Sequence, residues 1–413
     1  MENDIFKYEC RSCNNDKLFM YLDLGEMPLA NNLEDTQEDA INAMRYPLQV
    51  MYCDKCGMSQ LSVNVDPSIL FKHYTYRSSI NAGYRHHCND MAVSLQKELK
   101  LSGKSFVIDI AGNDGALLRE FQDILHCKGL NIDPAENLCK IAESAGVKCL
   151  PKFWNFWTAK EVLRYYGEAD LITATNVFAH VDDTINFLRG IKLVLSKSGT
   201  FVLEFPYLVD LIDRTEFDTV YFEHYSYLAI HPVKYMCEKV GLKIYDIEKF
   251  DIHGGTVRVK IVHEENEIGI NESVQQYLDH EIDFSYYNDH SKYEDWSVTV
   301  NDTILSFSDK IKELKKSGKT IAAFAASAKG NTLLNSAGID HTYIDYIADE
   351  TPEKIGKFSP GTGIPIVHID RIRETNPDYI IILSWNFKDE IIEKLQDFYD
   401  NKFIIPIPKF EIV

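Results

Sequence analysis

Val107-Ile108-Asp109-Ile110-Ala111-Gly112-Asn113-Asp114-Gly115-Ala116-Leu117-Leu118 is the stretch on which the fold turns. The apolar run 106–110 reads as a buried strand, a glycine-containing turn follows, and a helical pattern opens at Leu117. A strand, a tight turn and a helix N-terminus let backbone come close to a ligand. About 20 residues on, a second apolar stretch ends in Asn131-Ile132-Asp133, where an acid can accept both hydroxyls of a ribose. The glycine spacing is not G-x-G-x-x-G, which disfavours a nicotinamide dinucleotide, and no P-loop motif is present. Asp109, Asp114 and Asp133 suit a cationic, ribose-bearing ligand without phosphate, and S-adenosylmethionine is that ligand. Asp109, Ala111, Gly112, Asn113, Asp114, Gly115 and Asp133 are expected to hold it, with Asn176 beyond a later strand.

Outward from this point, strand patterns at 106–110, 129–132, 171–175, 199–204 and 257–262 alternate with helical ones. The fold class is therefore α/β, a doubly wound, mostly parallel sheet with helices on both faces. Ligands bind outside the carboxyl ends of such strands. That singles out Asn176 and His180 after the third strand and Glu204 and Tyr207 after the fourth. The segment 216–227 follows, dense in ionisable and phenolic groups, among them Tyr221, Glu223 and His224. A Glu beside a His can orient it or raise its basicity. His253-Gly254-Gly255-Thr256-Val257-Arg258 adds a glycine pair suited to a close backbone approach.

Residues 264–316 read as acidic amphipathic helix with Tyr-rich interruptions, a bridge to a second α/β unit. Strands are expected there at 320–325, 343–348 and 379–383. The first is followed by Ala326-Ser327-Ala328-Lys329-Gly330-Asn331-Thr332. Backbone amides, Lys329 and the hydroxyls suit a diphosphate.

A chain of 413 residues exceeds one ordinary core. The expected division is 1–75, a zinc-binding module; 76–285, a cofactor domain with a linker helix; and 286–413, a second Rossmann-like domain. The formal net charge of -20 opposes nucleic acid or an anionic membrane as partner. No apolar segment approaches the roughly 20 residues of a membrane span. The first residues lack a signal peptide's pattern, so the cytoplasm is expected. Of nine cysteines, Cys10, Cys13, Cys53 and Cys56 form two C-x-x-C pairs, which can present four thiolates tetrahedrally to zinc. Four such ligands leave no open position, so the zinc is structural. Cys88, Cys127, Cys139, Cys149 and Cys237 are expected to be core thiols.

Together these pieces resemble the three-part sugar C-methyltransferases that act on nucleotide-linked keto-deoxysugars. The resemblance spans essentially the whole chain. It rests on the cysteine pairs, Tyr76-Arg77-Ser78-Ser79, the 110–115 loop, Asn176-Val177-Phe178-Ala179-His180, Glu204-Phe205-Pro206-Tyr207, Tyr221-Phe222-Glu223-His224, His253 to Arg258 and Ala326 to Thr332. One departure stands out. The family usually places glycine where Ala111 stands and a small polar residue next, whereas here Gly112 follows.

The resemblance implies a thymidine-diphosphate 4-keto sugar as substrate, methylated beside the ketone, most often at C3. It implies His224 as base with Tyr221 and Glu223 around it, and Tyr76 and His180 near the keto oxygen. Tyr76, Ser78, Ser79, Asn176, Tyr207, His253, Arg258, Ser327, Lys329 and Asn331 are the expected substrate contacts, in a monomer. The neighbouring alternative is an O- or N-methyltransferase, which needs only a simple deprotonation. A zinc-ribbon nucleic-acid binder conflicts with the charge, and a catalytically dead assembly protein with the ionisable cluster.

Overall fold

The computed structural model describes residues 5–71, 77–250 and 254–413, so Tyr76 and His253 lie outside the described residues. Three sheets carry the chain. β1 (Leu18–Pro28), β2 (Arg45–Cys53) and β3 (Ser59–Leu61) pair antiparallel in sequence order. The second sheet contains β4 (Phe106–Ile110), β5 (Lys128–Ile132), β6 (Cys149–Leu150), β7 (Ala169–Thr175) and β8 (Leu195–Pro206). After these, a two-residue strand, β9 (Ser226–Tyr227), leaves that sheet and pairs with β3 of the first. β10 (Leu242–Phe250) and β11 (Thr256–His263) complete the second sheet, in the order β10-β11-β8-β7-β4-β5-β6. β11 is antiparallel to both neighbours, and β4 to β8 are parallel to one another.

β4 is buried along its whole length, as an apolar strand covered on both faces must be. The helix Ala116–Leu125 follows at once and turns Leu117, Leu118, Phe121 and Leu125 inward at helical spacing. The carboxyl ends of β4, β5, β7 and β8 thereby share one rim, where the candidate residues gather.

The last sheet holds β12 (Ile321–Phe324), β13 (Ile347–Asp349), β14 (Ile366–His368), β15 (Tyr379–Ile382), β16 (Lys402–Ile405) and β17 (Glu411–Ile412). Its order is β14-β13-β12-β15-β16-β17, parallel except for β17. The helix Ser291–Lys316 leads into it, packing Tyr293 and Trp296 against Tyr21 of β1. The sequence pattern leaves β1, β2, β3, β6, β9, β10, β14, β16 and β17 unmarked. Most are short, and a few residues carry too little periodicity to stand out.

The knuckles close on each other. The Cys10 and Cys56 sulfurs lie 3.5 Å apart, as do those of Cys13 and Cys53, and all four fall within 4.8 Å of one another. Thiolates about 2.3 Å from one ion sit roughly 3.8 Å apart in a tetrahedron, so this buried set fits zinc. The spacer between the pairs is not a bare loop: it forms β1, the short helix Gln37–Ile41 and most of β2. Arg11, inside the first pair, is 4% exposed. Its guanidinium donates to Leu61 O at 2.6 Å, Val63 O at 2.8 Å and Asp182 Oδ1 at 3.0 Å, tying the module to the loop after β7.

One cysteine expectation needs correcting. Cys139 and Cys149 are not free thiols but a disulfide, because the helix Glu136–Ser144 packs beside β6 and brings their Cα atoms to 5.3 Å. Among the described residues no helix is long and apolar enough to cross a membrane.

Replacing Arg11 with Met strands two carbonyls, while Asp182 keeps Lys7 at 3.4 Å, and should lower unfolding stability by about 2 kcal/mol in a denaturant titration. Removing zinc with a chelator should loosen the module and, through β3, strip amide hydrogen-exchange protection from β9. Protection in β12 should be unaffected.

Candidate active site

The cofactor loop leaves β4 with Ala111 at φ 52°, Asn113 at 55° and Gly115 at 80°, a run of left-handed turns that folds the backbone into a cradle. Gly112 explains the departure from the family pattern. A Cβ there would meet Asp109 Oδ2 at 2.3 Å and Asn131 Oδ1 at 2.5 Å, so the loop lies directly on those side chains. Asp109 accepts from Thr173 Oγ1 at 2.7 Å through one oxygen, and its other oxygen is buried without a partner. Burial pushes this carboxyl up to about 7. Asp133, at the end of β5, accepts from Asn113 N at 2.9 Å and Ala135 N at 2.8 Å, and burial pushes it to about 6. Asn176 ends β7 at φ 54° with its side-chain oxygen buried and unpartnered. Buried acids and open acceptors around a cradle fit a cationic, ribose-bearing ligand, and Asp109, Asp133 and Asn176 are side chains that could hold S-adenosylmethionine.

Ser78 and Ser79, expected on the substrate, sit on this loop. Ser78 N donates to Asn113 Oδ1 at 3.0 Å, and Ser79 Oγ to Asp114 Oδ2 at 2.5 Å. Arg77 Nε approaches the same carboxylate at 3.9 Å. Asp114 is thus occupied by the turn that leads into the helix Ala82–Glu98.

Beyond β8 the chain builds an imidazole pair. His224 is buried, 4.8 Å from His180 and 4.1 Å from Tyr221 between ring centroids. Its Nδ1 contacts Thr219 O at 2.8 Å. A carbonyl only accepts, so Nδ1 carries the proton and Nε2 presents its lone pair. Burial first, then His180 and Lys329, hold this imidazole well below its usual value, so it is neutral at pH 7. Glu223 accepts from Asn31 Nδ2 at 2.8 Å and keeps its second oxygen buried without a partner.

His180 requires a revision. Its Nδ1 faces Glu223 O at 2.5 Å, and the ring also hydrogen-bonds the Asn176 backbone. Burial pushes it down to about 4. A neutral ring whose N–H is spent on backbone is not the expected donor to a substrate oxygen. It braces the loop of Glu223 against the end of β7.

Three expected substrate contacts are turned to other partners. Tyr207 donates its hydroxyl to Glu281 at 2.9 Å. Arg258 is 2% exposed, paired through Nε with Glu204 at 2.6 Å and lying over the Phe250 ring; Glu204 also meets His87 Nε2 at 2.9 Å. Asn331 spends its amide on Ala30 O at 3.0 Å and its oxygen on Ser359 and Asn335. The glycine pair also finds its reason here: a Cβ at Gly254 would meet Glu216 Oε2 at 2.2 Å, and one at Gly255 would meet Asp210 Oδ2 at 2.4 Å.

Lys329 lies within electrostatic reach of His224. It opens the helix Ala328–Ser336, whose N-cap Ser327 accepts from Gly330 N at 3.1 Å. Its Nζ is buried without a hydrogen-bond partner, 3.6 Å from Glu216 Oε2 and 5.3 Å from the Trp385 ring centre. Trp385 in turn donates to Asp218 Oδ2 at 2.7 Å. A cleft of about 590 Å³ opens beside this cluster, lined by Tyr84, Arg214, Trp385, Phe387, Lys388 and Lys409 among others. Trp385 lies just past β15, where the strand-end rule points, yet the sequence reading stopped at that strand. Nothing in the sequence marks Asn31.

Three families match the chain in order: a zinc binding domain at residues 10–71, a methyltransferase domain at 84–247, and a C-methyltransferase C-terminal domain at 251–408. C-methyltransferase NovU of Streptomyces niveus is 30% identical over 407 residues, 98% of this chain and 96% of that protein. Among solved structures, magnesium protoporphyrin IX methyltransferase of Synechocystis PCC 6803 with bound SAM is 11% identical, with a TM-score of 0.34, covering 45% of this chain and 81% of its own. The mitomycin 7-O-methyltransferase MmcR is 15% identical with a TM-score of 0.35, covering 45% and 55% respectively. With a zinc-fitting cysteine cluster, a methyltransferase sheet and a C-terminal α/β sheet in one chain, the protein belongs to the three-domain, S-adenosylmethionine-dependent C-methyltransferases.

Proposed function

We propose that the chain methylates the carbon beside the ketone of a nucleotide-linked 4-keto-deoxysugar, a thymidine-diphosphate sugar at C3 in the favoured case. One observation carries the reading. The hydrogen bond from His224 Nδ1 to Thr219 O leaves a neutral, buried imidazole with its Nε2 lone pair free to take a proton.

The cofactor, when bound, supplies an electrophilic methyl group. The residues of the chain must make a carbon nucleophilic. His224 Nε2 removes the proton beside the ketone, a role worth roughly 10²–10⁴ in rate when the base is well placed. An imidazole of lowered basicity cannot do this unaided, so the developing enolate oxygen needs a donor, and losing one costs about 10²–10³. Tyr221, in ring contact with His224, is the nearer of two described phenols beside that ring and the one we assign as donor, with Tyr76 its expected companion. Glu223 presents its free oxygen to a sugar hydroxyl. Lys329, at the positive end of its helix and without a hydrogen-bond partner, suits a diphosphate, and the neighbouring cleft offers Trp385 and Phe387 for a base. The reading places the activity in the cytoplasm, on a soluble sugar nucleotide, with the chain acting as a monomer.

His224→Asn should abolish deuterium uptake at the carbon beside the ketone, measured without methyl donor, while S-adenosylmethionine affinity stays within about twofold. Uptake at the unmodified rate would remove His224 as the base. Product NMR should show a new methyl on ring carbon; a methoxy or N-methyl signal would shift the reading to an O- or N-methyltransferase. In an imidazole proton NMR titration, His224 and His180 should stay neutral through the range around pH 6.5 in which a free imidazole takes up its proton.

A further inference from the structure

The cysteine-rich module reaches Glu223, beside the imidazole pair, with the side chain of Asn31. Past β1 the chain turns, with Asn32 N donating to Leu29 O at 3.1 Å and Leu33 N to Asn31 O at 3.0 Å. The last sheet grips the same turn through Asn331 Nδ2 on Ala30 O at 3.0 Å. Thr332 Oγ1 meets Val220 O at 3.3 Å, so all three parts of the chain converge here. Held this way, Asn31 Nδ2 donates to Glu223 Oε1 at 2.8 Å.

Glu223 is 2% exposed, and its Oε2 is buried without a partner. Among the described residues it forms no ion pair. The titratable groups around it are His180, whose ring meets its carbonyl, the adjoining His224, and the phenols of Tyr225 and Tyr227, whose ionisation its charge opposes. None of these, neutral at pH 7, offers it a countercharge. Its favourable contacts are the Asn31 amide and its own backbone N–H, and only the amide comes from another element, so that donor fixes which way the carboxylate turns.

We propose that Asn31 is a positioning residue of the methyl-transfer site, lent by the cysteine-rich module: its amide turns Glu223 so that Oε2 is the oxygen presented to substrate. The assignment rests on the reading of Glu223 as a group of that site. It has an electrostatic side as well. Burial pushes the Glu223 carboxyl upward, and the Asn31 amide opposes the push by favouring the charged form. Without the amide, protonation sets in at higher pH and the free oxygen loses its capacity to accept.

The test uses the zinc-loaded full chain. Difference infrared spectra taken against pH give a carboxyl band that Glu223→Gln identifies by its loss. In Asn31→Ala and in the isosteric Asn31→Asp, the midpoint of that band should move to higher pH by about one unit. Methyl transfer to a nucleotide 4-keto sugar should show kcat about tenfold lower in Asn31→Ala, with KM for S-adenosylmethionine and zinc content unchanged. In a Glu223→Gln background the same change should have almost no further effect. An unmoved midpoint overturns the proposal, and so does an equal loss of kcat in both backgrounds, since a purely structural residue gives that result. The infrared titration needs no substrate, so it decides the role of Asn31 even if no sugar nucleotide is methylated.

Discussion

The pairing of β9 with β3 is the constraint on which the site depends. β9 begins two residues after His224, and its partner strand belongs to the sheet that carries the second cysteine pair. Leu61 N also donates to Tyr225 O at 3.0 Å, and Tyr225 Oη reaches Val65 O at 2.5 Å. Residues 221–225 are therefore suspended between two sheets, with Thr219 O fixing the imidazole on one side and the cysteine-rich module on the other. Arg11 closes the circuit by joining that module to Asp182, just past His180. The cysteine cluster is thus coupled to the geometry of the His224 imidazole, although four cysteine ligands leave a metal no open position for chemistry.

Around this loop, charge is distributed by burial more than by pairing. Asp109 and Asp133 sit raised by burial beside the cofactor cradle, with no ion pair among the described residues, which favours a cation there. Lys329 sits buried on the opposite, last-sheet side near Glu216, itself pushed up to about 7 by burial, which favours an anion. The imidazoles between them are neutral. Such an arrangement has opposite charge preferences at its two ends and neutral imidazoles in the middle.

Much of this was legible in the sequence because it rests on local pattern. Continuous apolar runs mark β4, β7 and β8, since strands covered on both faces cannot be polar. Paired cysteines mark the metal set, and the density of ionisable groups marks 216–227. What stayed hidden depends on register and on contacts between distant elements. Arg258 and Glu204 look like site residues at strand ends, yet they face each other across β11 and β8 and neutralise one another. Asn331 lies in a ligand-like loop but pins Ala30. The disulfide follows from how a helix lies on an edge strand, and neither β9 nor Asn31 carries a local signature. The tautomer of His224 is set by a backbone carbonyl, a group that every residue possesses and no sequence pattern singles out.

β9 also bears on how this architecture can be recombined. A strand contributed by the middle of the chain to the first sheet means that the cysteine-rich module is not an exchangeable cassette. Swapping it between relatives without also exchanging 219–227 would bring a foreign edge against an unmatched strand. Crossovers that keep both strands from one parent preserve the seam, and inherited variation on its two sides must therefore travel together.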